Sequence, residues 1–240
     1  RILVHFAAVF SDWKDGPTLR GLDEFVEGYQ NDPDMDFHSM VAEMADIPRK
    51  QAKTINLAMM YGMGVRKLSE QLDISTEEAK ELTNQYHDRV PFVKQLMGGV
   101  SRRLEDSRSN GSVRSLKGRK CRFDLWEPRG FGQVQKAMAK EEALATYGQT
   151  TQLRRAFTYK ALNRLIQASA ADMTKQAMVD VYQAGVTPLL QVHDELDCSV
   201  KDLEQANHVA RTMEQAITIR VPSKCDIDLG PSWGEAKEMQ

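Results

Sequence analysis

Cysteine is scarce: Cys121, Cys198 and Cys225 are the three in 240 residues, odd in number and widely spaced. They form no zinc-ligand pattern and no disulfide framework, which suits a reducing compartment. Long apolar runs are absent. No stretch of about 20 apolar residues occurs, so no helix of this sequence spans a bilayer. No signal peptide is visible. Neither charge is in excess, with 32 Lys and Arg against 34 Asp and Glu. A polyanionic partner would therefore have to meet a local patch rather than the overall charge. No internal repeat and no low-complexity tract is visible. What is there is an ordinary soluble composition, 41% hydrophobic and 28% charged, enough for one large domain or two small ones.

The start, RILVHFAAVF, reads as helix or strand from its first residue with no cap before it. The expectation is a piece of a longer chain. Helical spacing covers TLRGLDEFVEGYQ, then DFHSMVAEMAD with Asp36 as N-cap, then PRKQAKTINLAMMYG with Pro48 at the first helical position and Gly62 at the end. In STEEAKELTNQYHDRV, Ser75 and Glu78 have the spacing of a capping box. PFVKQLMGGVSRRLEDS continues helically, weakened at Gly98 and Gly99. NGSVRSLKGRKCRFD breaks the pattern, with turn signals at Asn110-Gly111 and Lys117-Gly118, and predicts a β-hairpin. From about Gln133 to Tyr182 the pattern predicts two helices meeting near Gly148. A strand pair around His193, a helix from about Leu203 to Ile219 and a last strand near KCDIDL follow. The fold class is α+β, mostly helical with a small antiparallel sheet late in the chain.

Four stretches could carry chemistry. Residues 102–122 hold eight basic side chains, Arg119 among them, against two acids, a local charge of +6. Such a patch fits a polyanion at one face, and a solvated loop fits it equally. In TPLLQVHDELDCSV an apolar frame predicts two strands, yet His193, Asp194 and Glu195 sit between them. Burying adjacent unpaired carboxylates is costly. Mg²⁺, which takes one or two carboxylates plus substrate phosphates, would offset that cost; a tip pointing to water would avoid it. In RKQAKTINLAMMYG, Arg49, Lys53, Leu57 and Tyr61 are each four apart, so they fan along one helical surface. The two cations suit phosphate oxygens and the apolar end suits a sugar or base; an amphipathic helix with solvated cations has the same spacing. In YKALNRLIQASAAD, Asn163 and Gln167 share a helix face. Such amides can read minor-groove acceptors or sit idle on a surface.

The order and joint presence of these stretches is more specific than any one of them. RKQAKTINLAMMYG, then NRLIQASAAD, then LLQVHDEL resembles the polymerase domain of the family A DNA polymerases, the DNA polymerase I-like group. The first matches that family's motif B on the fingers and QVHDEL its motif C on the palm. GRKCRF looks like the family's basic hairpin, and GPSWGEAKEM is similar to its carboxyl end. The resemblance covers nearly the whole chain, and the style is closest to phage-encoded members.

The resemblance implies template-directed addition of dNTPs to a primer 3′-end by a two-metal phosphoryl transfer, in the cytoplasm of a bacterial or phage-infected cell. Residues 1–155 would be the fingers and 156–240 the C-terminal part of the palm. Asp194 would hold metal, two Mg²⁺ in a complete enzyme, with Glu195 a weaker partner. His193 would contact the primer end. Lys53 would bind the triphosphate and protonate the leaving pyrophosphate. Arg49 would bind the terminal phosphate, with His38 a further phosphate contact. Leu57 would pack on the sugar, where many members carry Phe or Tyr, and Tyr61 would stack near the template base. Asn163 and Gln167 would read the minor groove, and Arg119 with its basic neighbours would touch DNA phosphates. The partners are primer-template DNA and dNTP, and no membrane. RILVHFA resembles the residues just after motif A, so the motif A aspartate and the thumb would lie outside these 240 residues and the chain alone would be inactive. The competing reading is a non-catalytic DNA-binding module, which needs the basic patch but not Asp194. A His–Asp metal phosphohydrolase would need a helical cluster of histidines that the five here do not form.

Overall fold

The computed structural model describes residues 1–12, 17–106, 109–130 and 136–238. Arg108 of the basic run, and Gln133 at the start of the expected helix, lie outside the described residues. Seven helices come first: α1 (Ile2–Ser11), α2 (Leu22–Asn31), α3 (Phe37–Ala45), α4 (Arg49–Met60), α5 (Val65–Leu72), α6 (Thr76–Arg89) and α7 (Pro91–Glu105). Local chemistry sets several boundaries. The Asp36 carboxylate accepts from the Ser39 N–H at 2.9 Å and caps α3. Ser75 and Glu78 exchange both bonds of a capping box on α6. Pro48 caps α4 rather than opening it, and α4 closes before Gly62 at φ +64. The eight-residue α5, behind Gly62 and Gly64, was not legible as a separate helix. Gly99 lets α7 pack closely on α1: a Cβ there would lie 2.3 Å from Phe10 Cζ and would have to displace that ring.

The middle of the chain departs from expectation. The hairpin forms as anticipated from β1 (Ser112–Arg114) and β2 (Lys120–Arg122), with Val113 opposite Cys121. The segment expected to be two helices is mixed. It holds β3 (Leu125–Pro128), β4 (Met138–Ala139), α8 (Lys140–Tyr147) and β5 (Leu153–Arg155), and the strands form an antiparallel sheet in the order β4-β3-β5. Gly148 at φ +103 ends α8, and the backbone of residues 153–155 then finds partners on β3 instead of continuing a helix. The long α9 (Ala161–Gln183) follows, then β6 (Pro188–Val192), β7 (Glu195–Cys198), α10 (Leu203–Gln215), and a short pair of β8 (Asp228–Leu229) and β9 (Lys237–Glu238). The last strand near KCDIDL is thus confined to Asp228–Leu229, and α10 stops before Ile219. The layout is α+β with several small antiparallel sheets among the described residues.

Two cores organise the molecule. The larger gathers Val4, Phe25, Ile55, Tyr86, Phe92 and Leu96 from the early helices with Leu162 and Leu165 of α9. The smaller joins Val181, Val186 and Val209 with Leu196 and Cys198 of β7. α9 enters both. Its 23 residues make a spine about 34 Å long at 1.5 Å per residue, tying the helical half to the β6–β7 hairpin. Among the described residues, no helix is long and apolar enough to cross a membrane.

Candidate functional site

α4 separates its side chains sharply. Ala52, Ile55, Asn56, Ala58 and Met59 are buried, while Arg49, Lys53, Leu57 and Tyr61 are exposed. The i, i+4 row is therefore an open surface. Leu57 at 37% and Tyr61 at 51% exposure place apolar area in water beside the two cations. Unburied apolar area of that kind carries a standing cost that a stacking or sugar contact would relieve.

α3 adds to this surface. The Arg49 Nε donates to the Asp36 carboxylate at 2.8 Å and to the Ser39 hydroxyl at 3.2 Å. Burial pushes Asp36 up, but the bonds from Ser39 and Arg49 outweigh it and hold the carboxyl at about 2. His38 lies half-buried, its Nδ1 2.9 Å from the side-chain amide of buried Asn56. Burial lowers the His38 pKa, and the nearby charges of Arg49 and Lys53 lower it further against the pull of Asp36. The imidazole is thus neutral at pH 7. His38, Arg49 and Lys53 form one electrostatic neighbourhood.

The end of α4 meets the start of α9. A Cβ on Gly62 would lie 2.8 Å from the Tyr159 ring, so glycine permits that approach. Asn163, half-buried, and Gln167, exposed, follow on α9, and among the described residues neither side-chain amide has a hydrogen-bond partner.

The acidic tip is different from its sequence picture. The β6–β7 hairpin turns at His193, in the left-handed region at φ +54. Leu189 is 67% and Leu190 47% exposed, and Asp194 and Glu195 face solvent. No burial cost falls on these acids: of the two readings left open by the sequence, this is the tip that points to water. Leu189 and Leu190, read as part of an apolar frame, are left open by the fold. The Trp233 indole Nε1 donates to Glu195 Oε1 at 3.3 Å, a contact the sequence did not signal. Among the described residues Asp194 has no hydrogen-bond or ion-pair partner. The two carboxylates are hard oxygen donors suited in kind to Mg²⁺, which also takes substrate phosphates and water. Among the described residues no group of three or more His, Cys, Asp or Glu is assembled to hold a metal. No hydrogen bond or ion pair joins the tip to α4 among the described residues; α9 connects them.

The basic hairpin packs along α9. Arg119 donates through Nε to Asp172 at 2.6 Å and through Nη2 to the Ala168 carbonyl at 3.0 Å. Asp172 is 4% exposed and also accepts from the Lys117 N–H at 2.9 Å. Burial raises its pKa, but hydrogen bonds from Ser115, the Lys117 N–H and Arg119 outweigh that and leave it lowered. Sequence reading missed Asp172. A lone acid among small residues on a helix, ASAAD, was the available signal, because a buried carboxylate demands partners.

A family model described as DNA polymerase family A matches residues 22–235. A DNA-directed DNA polymerase of Pseudomonas phage M6 is 30% identical over 98% of this chain and 37% of its own length. DNA polymerase I of Geobacillus stearothermophilus is 32% identical over 84% of this chain and 21% of its own. A solved structure, the polymerase domain of Pol1 from M. smegmatis in complex with DNA primer-template and dNTP, superposes with a TM-score of 0.69 at 30% identity. It covers 98% of this chain and 39% of that one. The chain thus spans about a fifth to two-fifths of these relatives.

Proposed function

The chain belongs to DNA polymerase family A, and from that premise we propose that it supplies part of the catalytic domain of a template-directed DNA polymerase. Residues 1–155 form the fingers and 156–240 the C-terminal part of the palm. The enzyme adds deoxynucleotides from dNTPs to the 3′-end of a primer and works in the cytoplasm. The observation that carries this reading is the exposed row Arg49–Lys53–Leu57–Tyr61 with neutral His38 beside it, cationic at one end and apolar at the other. A nucleoside triphosphate has the same polarity.

Lys53 and Arg49 hold the phosphates, and Lys53 gives a proton to the departing pyrophosphate. Neutral His38 donates a hydrogen bond to phosphate without adding charge. Leu57 packs on the sugar and Tyr61 stacks near the template base. Asn163 and Gln167, unpartnered among the described residues, read the acceptors that every base pair presents in the minor groove. His193 lies against the primer end. Asp194 carries the free carboxylate of the tip, and Trp233 holds Glu195 aside from it. Two Mg²⁺ bound there would neutralise triphosphate charge and activate the primer hydroxyl. Phosphoryl transfer needs positioning and charge stabilisation above all, which is what these residue types provide.

The test is primer extension with Mg²⁺ by the full natural polypeptide. Asp194→Ala should lower incorporation by about a thousandfold or more. Extension equal to the parent would defeat the polymerase reading and favour a module that only binds DNA. The 240-residue chain alone is expected not to extend primers, since the resemblance puts a further metal-holding aspartate outside it.

A further inference from the structure

The hairpin is stapled to α9 along a single stripe. Arg164 donates to the Arg122 carbonyl at 3.2 Å. The Ala168 carbonyl accepts from Arg119, and Asp172 from Arg119 and the Lys117 N–H. Gln176 accepts from Lys117 Nζ at 2.9 Å. Residues 164, 168, 172 and 176 are four apart, so they form one row on the helix. The buried Ser169 hydroxyl, beside that row, accepts from the Leu116 N–H at 3.3 Å. Asn163 and Gln167 lie on the neighbouring row, each one residue earlier. The hairpin is thereby held alongside the two amides.

The staples divide the basic run. Lys117 and Arg119, though exposed, are engaged by side chains of α9. Strand register puts Arg114 opposite Lys120 and Ser112 opposite Arg122, on the exposed face of the hairpin, while Val113 and Cys121 face the core. Lys120 and Arg122 have no ion-pair partner among the described residues. Three cations therefore stand on one outward face, and Asp172 fixes where that face points.

We propose that Asp172 is a positioning residue: by gripping the loop 115–119 through Arg119 and the Lys117 N–H, it holds the Arg114–Lys120–Arg122 face beside Asn163 and Gln167 as one backbone-and-groove surface for duplex DNA. Arg119 serves as the grip, not as a phosphate ligand. This rests on the polymerase reading above and deepens it.

Two signs separate the grip from plain electrostatics. Removing an acid near DNA strengthens binding if only charge matters; removing the grip weakens it. The experiment measures binding of a primer-template duplex to the full natural polypeptide from about 50 to 200 mM salt, where each phosphate contact adds about 0.9 to the log–log slope. Lys120→Ala should flatten the slope by about 1. Asp172→Asn, which removes no cation, should weaken binding about tenfold and flatten the slope by about 1 to 2, as the outward cations lose their places. Arg119→Ala should match it, and the double variant should be no worse than either single. Arg119→Lys should fail to rescue, because the rigid guanidinium fork reaches Asp172 and the Ala168 carbonyl together. Tighter binding or an unchanged slope in Asp172→Asn, additive losses in the double variant, or restoration by Arg119→Lys would each overturn the proposal. Should Asp172→Asn fail to fold, the half-exposed Arg119 pair decides alone. A parent protein that binds no duplex would sink the polymerase reading as well; a parent that binds and extends while the losses add would sink only the grip.

Discussion

The two cationic regions of the molecule look alike in sequence and differ in employment. Among the described residues the α4 row presents Lys53 without a hydrogen-bond or ion-pair partner and Arg49 with one surface acid, beside exposed Leu57 and Tyr61. The basic hairpin has the denser charge, yet Arg119 is spent on a buried carboxylate and Lys117 on a glutamine. Availability for a ligand follows from what each cation already touches, not from how many stand together. An exposed ion pair such as Arg49–Asp36 contributes little and opens easily, whereas a charge bonded to a buried acid is costly to withdraw.

The contrast can be broken most forcefully at Lys53. Lys53→Ala in the full polypeptide should reduce nucleotide incorporation by about 10² to 10³-fold, the usual loss for one preorganised charged donor, with duplex binding unchanged. Equal losses in single-turnover incorporation and DNA affinity would erase the distinction between the two regions. The second largest effect belongs to the hairpin and is on stability. Arg119→Ala should cost about 1.5–3 kcal/mol in urea unfolding because it strips a charged partner from buried Asp172, whereas Lys53→Ala should stay within about 0.5 kcal/mol. Similar midpoints for the two variants would refute the difference in employment.

Smaller effects sharpen the α4 side. Asp36→Ala removes the α3 cap and the partner of Arg49, and should lower stability by about 1 kcal/mol. Because the folded Asp36 carboxyl sits at about 2, its contribution is full at neutral pH. It fades as pH falls below the ordinary carboxyl value of about 4, and a flat melting temperature there would contradict it. Least of all is a histidine effect. Burial lowers the pKa values of His5, His38 and His87. The unfolded chain therefore takes up protons first as pH drops below about 6.5, and the melting temperature should fall with it. In His38→Gln that slope should be shallower.

Much of this was legible beforehand because it is local. Asp36 and Ser75 cap the helices whose starts they mark, and the four-residue spacing from Arg49 to Tyr61 does define one exposed face. The β1–β2 and β6–β7 hairpins fall where turn residues and alternation put them. The mixed segment after the basic hairpin was not legible. Residues 153–155 are three amino acids long, and only pairing with β3 makes them a strand. Asp172 escaped notice because its partners lie more than 50 residues away.

By itself, then, the sequence determined the family, the capped helix starts at Asp36 and Ser75 and the chemical types at each motif, since caps, periodicity and residue order act over a few positions. Tertiary structure decided which charges are free. It settled the His193–Glu195 tip in water, placed Trp233 on Glu195, and bonded Arg119 to the buried Asp172. Exposure and partnership arise from packing between distant segments, and no spacing along one chain encodes the distance between two side chains that meet only after folding.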